Sequence, residues 1–144
     1  MNAQEMWALY LEKNSLDVPF QAWSFGTEPD RLAELVLSGK KTATASAYVW
    51  YELENADLPK GGDHSVLLNA EDKAVCIIQT TKVSILPFDE VDEEHARKEG
   101  EGDGSLSDWR RTHEAFFRKE FENAGLLFHS KVKVVCEEFI RVFP

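Results

Sequence analysis

The sequence holds only two cysteines, Cys76 and Cys136, each inside an apolar run. That count argues against a disulfide scaffold and predicts two buried thiols in a reducing cytosol, hence a cytoplasmic protein. No apolar stretch approaches the ~18 residues that a membrane span needs. The opening residues, Met1 to Glu5, lack the basic region and long apolar core of a secretory signal. Basic residues are scarce: 16 Lys and Arg face 26 Asp and Glu, for a net charge of −10. Such a chain repels a long polyanion unless its basic residues gather on one face, which disfavours nonspecific nucleic-acid binding. A neutral or cationic small substrate remains open, as does a short, locally held piece of RNA. Also absent are a Gly-rich phosphate loop ending in Gly-Lys-Thr or Gly-Lys-Ser, a nucleophile elbow and a Cys-x-x-Cys pair. Their absence argues against P-loop nucleotide hydrolysis, a serine hydrolase of the elbow type and a zinc deaminase. No motif implies a cofactor.

What is present suits one compact domain: 144 residues, 43% of them hydrophobic, with no internal repeat and no low-complexity linker. Asn2 to Lys13 reads as a helix with Met6, Leu9, Tyr10 and Lys13 on one side, broken by Pro19. Gln21 to Gly26 reads as a short strand. Thr27-Glu28-Pro29-Asp30 starts a helix with a Leu32, Leu35, Val36 stripe, and Gly39 suits the left-handed residue that ends it. Thr42 to Ser46 favours a strand, Tyr48 to Asn55 a short helix or loop, and Pro59 to Asp63 a turn. Ser65 to Leu68 and Ala74 to Ile85 read as strands, the latter central because Val75 to Ile78 is apolar on both faces. Asp89 to Glu99 is helical and stops at Gly100. A second helix runs from Ser105 or Ser107 towards Asn123, and Lys131 to Arg141 alternates as a last strand. Strands scattered among helices and ending on a strand fit an α+β barrel better than a doubly wound parallel sheet.

Three stretches carry polar chemistry. In Gly39-Lys40-Lys41-Thr42-Ala43-Thr44 a lysine amine and a threonine hydroxyl meet at a helix-to-strand junction. An amine held neutral acts as general base towards a hydroxyl nucleophile. The same residues also fit a plainer reading, in which the lysines favour a helix dipole and the threonines favour a strand. Asp89 to Asp103 holds eight acidic residues against Arg97 and Lys98. The early acids suit a helix N-terminus, whereas Glu99 in the last turn opposes the dipole. Glu99, Glu101 and Asp103 lack the spacing of a calcium loop, so no metal site is assigned. On Trp109 to Phe117, helical spacing places Trp109, His113 and Phe116 or Phe117 on one side, for ligand contact or core packing, and Arg110 with Glu114 on another. Tyr48 and Trp50 could stack on a base or belong to the core.

Together these stretches resemble the ASCH domain, a relative of the PUA fold of RNA-modifying proteins. Its Gly-x-Lys-x-x-Thr-x-Arg signature is matched by Gly39, Lys41 and Thr44, with Ser46 in place of the arginine. That departure is characteristic of a longer bacterial subgroup, which the chain resembles over nearly its whole length. Trp23 to Gly26, Pro59 to Asp63, Pro87-Phe88 through Asp103, Trp109-Arg110-x-x-His113 and Val135 to Phe139 extend the likeness. The resemblance implies an α+β fold, a small PUA-like β-barrel with helices packed around it and a cleft at one side. It implies one ASCH domain over 1–144 with an N-terminal helical extension over about 1–20.

ASCH relatives of known activity are amidohydrolases that remove the acetyl group of N(4)-acetylcytidine with a lysine, a threonine three residues later and a distant glutamate. Carried over, these are Lys41, Thr44 and, through the pattern His95-Ala96-Arg97-Lys98-Glu99, Glu99. Ser46, Tyr48, Trp109, Arg110 and His113 are then candidate substrate contacts, Arg110 standing in for the lost arginine fork. The expected function is amide hydrolysis on an acylated nucleoside, with Thr44 as nucleophile. Either Lys41 acts as base and Glu99 relays a proton or activates the deacylating water, or Lys41 stays charged and steadies the oxyanion while Glu99 is the base. The rival is an RNA-binding module or metal-assisted ribonuclease, using a basic cleft of Lys40, Lys41, Arg110 and Arg111.

Overall fold

The computed structural model describes residues 1–144. Five α-helices and five strands follow one another in the order α1 (Ala3–Lys13), β1 (Phe20–Trp23), α2 (Pro29–Leu37), β2 (Ala43–Ala47), α3 (Tyr48–Leu53), β3 (His64–Leu68), β4 (Ala74–Pro87), α4 (Glu93–Glu99), α5 (Leu106–Asn123) and β5 (Lys133–Phe143). No helix is long and apolar enough to cross a membrane. Caps mark where the helices begin. The Asn2 side chain and Glu5 form a reciprocal capping box at α1, Asp92 accepts from the His95 amide at α4, and Ser105 accepts from the Asp108 amide at α5. Pro29 opens α2, and Gly39 leaves it with φ +83°. The helix expected over Asp89 to Glu99 is split, because Phe88–Glu90 forms a separate 3-10 turn and Asp92 caps a fresh start.

The strands make one mixed sheet in the order β1-β3-β4-β5-β2, with β1 parallel to β3 and every other pair antiparallel. The α+β class and the surrounding helices match the expectation, but the barrel is not closed: β1 and β2 are edges that do not pair with each other. β4 explains the curl. Its first part pairs with β3 and most of its length with β5, with irregularities between Ile77 and Ile78 and between Thr80 and Lys82. Such irregularities bend and twist a strand. The gap between the edges is lined by Gln21 and Trp23 from β1 and by Thr44 and Ser46 from β2.

Apolar clusters cover the sheet. Trp109, Phe117, Phe121 and Phe128 pack with Phe88, Val134 and Cys136; Leu32 and Val36 of α2 pack with Leu67, Cys76 and Ile78. α1 lays Met6, Trp7 and Tyr10 against Val66 and Ile77. Trp7 rather than Leu9 faces the sheet, and Leu9 stays exposed. Both thiols are free and buried, and burial pushes Cys76 up to about 11 and Cys136 up to about 12.

Candidate active site

The sequence separates Lys41 from Glu99 by 58 residues, and three chain ends bring them together. Past Gly39, the Lys40 and Lys41 amides both donate to Leu35 O, which folds the chain back over the end of α2. The Thr42 amide and hydroxyl both donate to Lys98 O, clipping the entry to β2 onto the last turn of α4. Gly100 makes that approach possible: a Cβ there would lie 2.1 Å from Lys40 O. Lys41 is consequently 1% exposed, so its charge serves an internal partner and not the dipole of α2.

Its ammonium has three. Nζ donates to Glu99 Oε1 at 3.2 Å, to Glu101 Oε2 at 2.7 Å and to the Glu99 carbonyl at 3.4 Å. All three ammonium protons are thereby engaged. The Phe25 ring lies 5.3 Å from Nζ and adds a π face. Glu99, also 1% exposed, is saturated in the same way. Its Oε2 lies 2.7 Å from both His95 Nε2 and Trp109 Nε1, and its Oε1 lies 3.4 Å from His113 Nε2. Burial alone would raise this carboxyl, but the Lys41 ammonium, with His113 and His95, overrides it and holds Glu99 well below the usual carboxylate range. His113 shows the counterpart. Burial alone would lower it, yet Glu99 raises it overall. Its Nδ1 faces the Trp109 carbonyl at 2.9 Å, so the ring meets an oxygen on each side, a setting that suits the imidazolium.

Thr44, Lys41, Glu99, Glu101 and His113 line one cavity of about 760 Å3 between α2, β2 and the start of α5. Ser46 follows two residues along β2 on the same face as Thr44 and exchanges a hydrogen bond with the Tyr51 hydroxyl at 3.0 Å. It lines an adjoining cavity that shares Thr44 with the first. Trp109 is buried and reaches neither; it acts from behind, its indole N–H on Glu99 and its ring stacked on His113 at 4.2 Å. Two candidate contacts lie elsewhere. Arg110 turns its guanidinium onto the Asp89 and Val91 carbonyls at 3.0 and 3.2 Å, bracing the 3-10 turn, because α5 points it away from the cavity. Tyr48 opens α3 and carries the Lys133 ammonium 5.2 Å over its ring. Glu114 pairs with Arg118, not Arg110.

Sequence reasoning overlooked Glu101, His95 and Phe25 as partners of this pair. The i, i+4 spacing of His95 and Glu99 was a usable signal, whereas nothing local marks Glu101 or Phe25. Glu99, Glu101 and His113 present ligand atoms within 4.8 Å of one another, a grouping that could hold a divalent cation. Lys41 Nζ already stands between the two carboxylates, so a metal would have to displace it. The basic cleft expected of the rival reading is only partly assembled: Lys41 and Arg111 line the cavity, joined there by Arg31, while Arg110 does not. Lys41 is buried on carboxylates, Arg110 is spent on carbonyls and Arg111 pairs with Asp108.

Known proteins resemble the chain over nearly its whole length. The family model described as the ASCH domain matches residues 21–143. A crystal structure of a protein from Enterococcus faecalis V583 is similar at TM-score 0.91 and 35% identity, covering 99% of this chain and 88% of that one. The ASCH domain from Lactobacillus crispatus JV V101 is similar at TM-score 0.89 and 30% identity, covering 98% and 94%. A hypothetical protein at TM-score 0.57 and 19% identity, covering 85% and 100%, shares the fold alone. No curated protein matches. With a PUA-like fold and a family match spanning most of its length, the chain belongs to the ASCH domain family.

Proposed function

We propose that the protein hydrolyses the amide of an N-acylated small molecule, acylated nucleosides such as N(4)-acetylcytidine being the class that the family resemblance suggests. The observation that carries this reading is the fully buried Lys41–Glu99 pair opening onto the same cavity as the Thr44 hydroxyl. Buried, mutually paired charges are costly to assemble and concentrate at functional sites.

In the proposed cycle Lys41 first cedes a proton to Glu101, whose carboxylate is 2.7 Å away and partly exposed. The free amine takes the Thr44 proton as the hydroxyl oxygen attacks the acyl carbon, then delivers that proton to the departing nitrogen. Water, deprotonated by the same amine, cleaves the acyl-threonine, the regained proton returns to Thr44, and Glu101 finally restores the ammonium. Glu99, held ionised from behind by His95, Trp109 and His113, stabilises the ammonium each time it forms.

The pairing of Lys41 and Arg111 with carboxylates leaves little free positive charge for a polyanion and favours a small substrate over RNA. Acetate release should be measured over a panel of N-acetyl compounds that includes N(4)-acetylcytidine. Thr44→Ala, Lys41→Met and Glu99→Gln are each expected to lower turnover by roughly 10³-fold or more, with little dependence on added salt. Undiminished turnover in Thr44→Ala would remove the nucleophile. Cleavage of RNA that needs an added divalent cation and weakens with salt would replace the whole reading.

A further inference from the structure

The catalytic cycle leaves a second cavity unused. It measures about 390 Å3, lies between the unpaired edges β1 and β2, and joins the first through Thr44, Phe25 and Phe116. Two independent chemistries line it. The first is aromatic: Trp23, Phe25, Trp50, Tyr51 and Phe116 present rings to the space, and ring faces attract cations. The second is anionic. In the β2–β5 ladder Glu137 stands directly opposite Thr44, and residues directly opposite share a face with Cβ atoms about 4.5–5.5 Å apart. The Glu137 carboxylate therefore emerges beside the Thr44 hydroxyl.

Glu137 accepts one long hydrogen bond, from Thr80 Oγ1 at 3.4 Å, and Glu120 accepts one from Trp50 Nε1 at 3.3 Å. Neither has a basic partner, and no lysine, arginine or histidine lines the cavity. Asp63 at the wall, by contrast, is already paired with Lys60. Burial raises both glutamates, as it must when a carboxylate is partly desolvated without a counter-charge. An apolar ring alone would satisfy the aromatics and leave the carboxylates unpaired. A neutral cytosine would likewise bring no positive charge to offset them. A positively charged, alkyl-substituted nitrogen satisfies both walls at once.

We propose that this cavity binds an organic ammonium group at the far end of the substrate whose acyl group meets Thr44. The substrate would then be a mono-N-acylated diamine or a like acylated amine with a second, positively charged nitrogen, in place of a neutral nucleoside. The acyl half rests on the hydrolase reading; the ammonium half rests on the cavity itself.

Calorimetric titration of the full chain at neutral pH tests the ammonium half, with the same titration in Thr44→Ala supplying binding heats free of turnover. The probes are N-acetyl-1,4-diaminobutane and N-pentylacetamide, which match in length and differ in the terminal charge. The charged probe is expected to bind at least tenfold more tightly. Glu137→Gln and Glu120→Gln should each reduce that preference threefold or more. Glu138→Gln, on the other face of β5 and paired with Lys98, should leave it intact. Equal affinities, no binding of either probe, a preference untouched by both glutamine variants, or tighter binding of N(4)-acetylcytidine than of the charged probe would each overturn the proposal. Repeating the titration in Thr44→Ala separates the two readings. A preserved charge preference with no acetate release from the wild type defeats the hydrolase reading alone. Acetate release with no charge preference defeats this one alone.

Discussion

Trp109 Nε1 donates to Glu99 Oε2 at 2.7 Å, so a residue at an apolar helix position supplies a hydrogen bond to the buried carboxylate. The indole also stacks on His113, which fixes a second partner of the same carboxylate. Trp109→Phe keeps an aromatic ring for the stack and deletes the donor. Leaving one lone pair of a buried ion unpartnered should cost about 1–3 kcal/mol, read from urea unfolding. A His113 that keeps its raised titration in that variant would show that the stack orients it independently of the indole N–H.

The Lys41–Glu99 pair is expected to cost more to break than to remove. Lys41→Met leaves the Glu99 carboxylate buried without its ammonium, a loss of about 3–5 kcal/mol. The double variant Lys41→Met, Glu99→Gln should recover much of it, because no lone charge remains. Urea midpoints for the two single variants and the double variant give the coupling directly.

Stability should depend on pH with two opposed limbs. The folded Glu99 carboxyl lies well below its unfolded value of about 4.3, so its contribution is present above that value and lost as pH falls through the depressed folded one. His113 is raised by Glu99. Its contribution is complete below its unfolded value of about 6.5 and is lost as pH rises through the folded one. The maximum is expected between these two unfolded values. Urea midpoints from pH 3 to 9 should show both limbs in the wild type and weaker ones in Glu99→Gln, which removes the carboxyl lowered by Lys41 and the largest raising influence on His113, leaving Glu101 and the Trp109 carbonyl.

Gly100→Ala tests the junction that brings the entry to β2 against the end of α4. Gly100 has φ +67°, and its Cβ would collide with the Lys40 carbonyl and crowd the Lys41 amide. Backbone strain and steric overlap together should cost more than about 2 kcal/mol. They should also loosen the Thr42 amide bond to Lys98 O, seen as faster hydrogen exchange at that amide. Gly39→Ala, where nothing lies within 4 Å of the added carbon, should show only the milder left-handed strain.

Much of the local structure was legible without coordinates. Asn2 and Ser105 each place a short polar side chain ahead of a helix, where it caps free amides, and Gly39 and Gly100 each follow a helix end with positive φ; Asp92, read as inside a helix, caps it instead. Leu9 was misplaced because helical spacing allows it beside Met6 and Tyr10, while only the position of Val66 and Ile77 selects Trp7. Lys41, Thr44 and Glu99 were readable through the family signature and the His95 to Glu99 pattern. Arg110 and Tyr48 were not, since a side chain's exit direction depends on how α5 and α3 are rolled against the sheet. Glu137 and Glu120 carried no signal at all, being ordinary acids in a strand and a helix until the fold brings β5 and α5 to one cavity wall.

By itself the sequence determined which segments coil and which extend, because periodicity, caps and glycine conformations act between residues a few positions apart. The tertiary structure alone decided that β1 and β2 remain unpaired, that a lysine beside a helix end is sealed from water, and that Trp109 and His113 meet its carboxylate partner. Those outcomes depend on which surfaces lose solvent, and desolvation is set by neighbours that the chain supplies from tens of residues away.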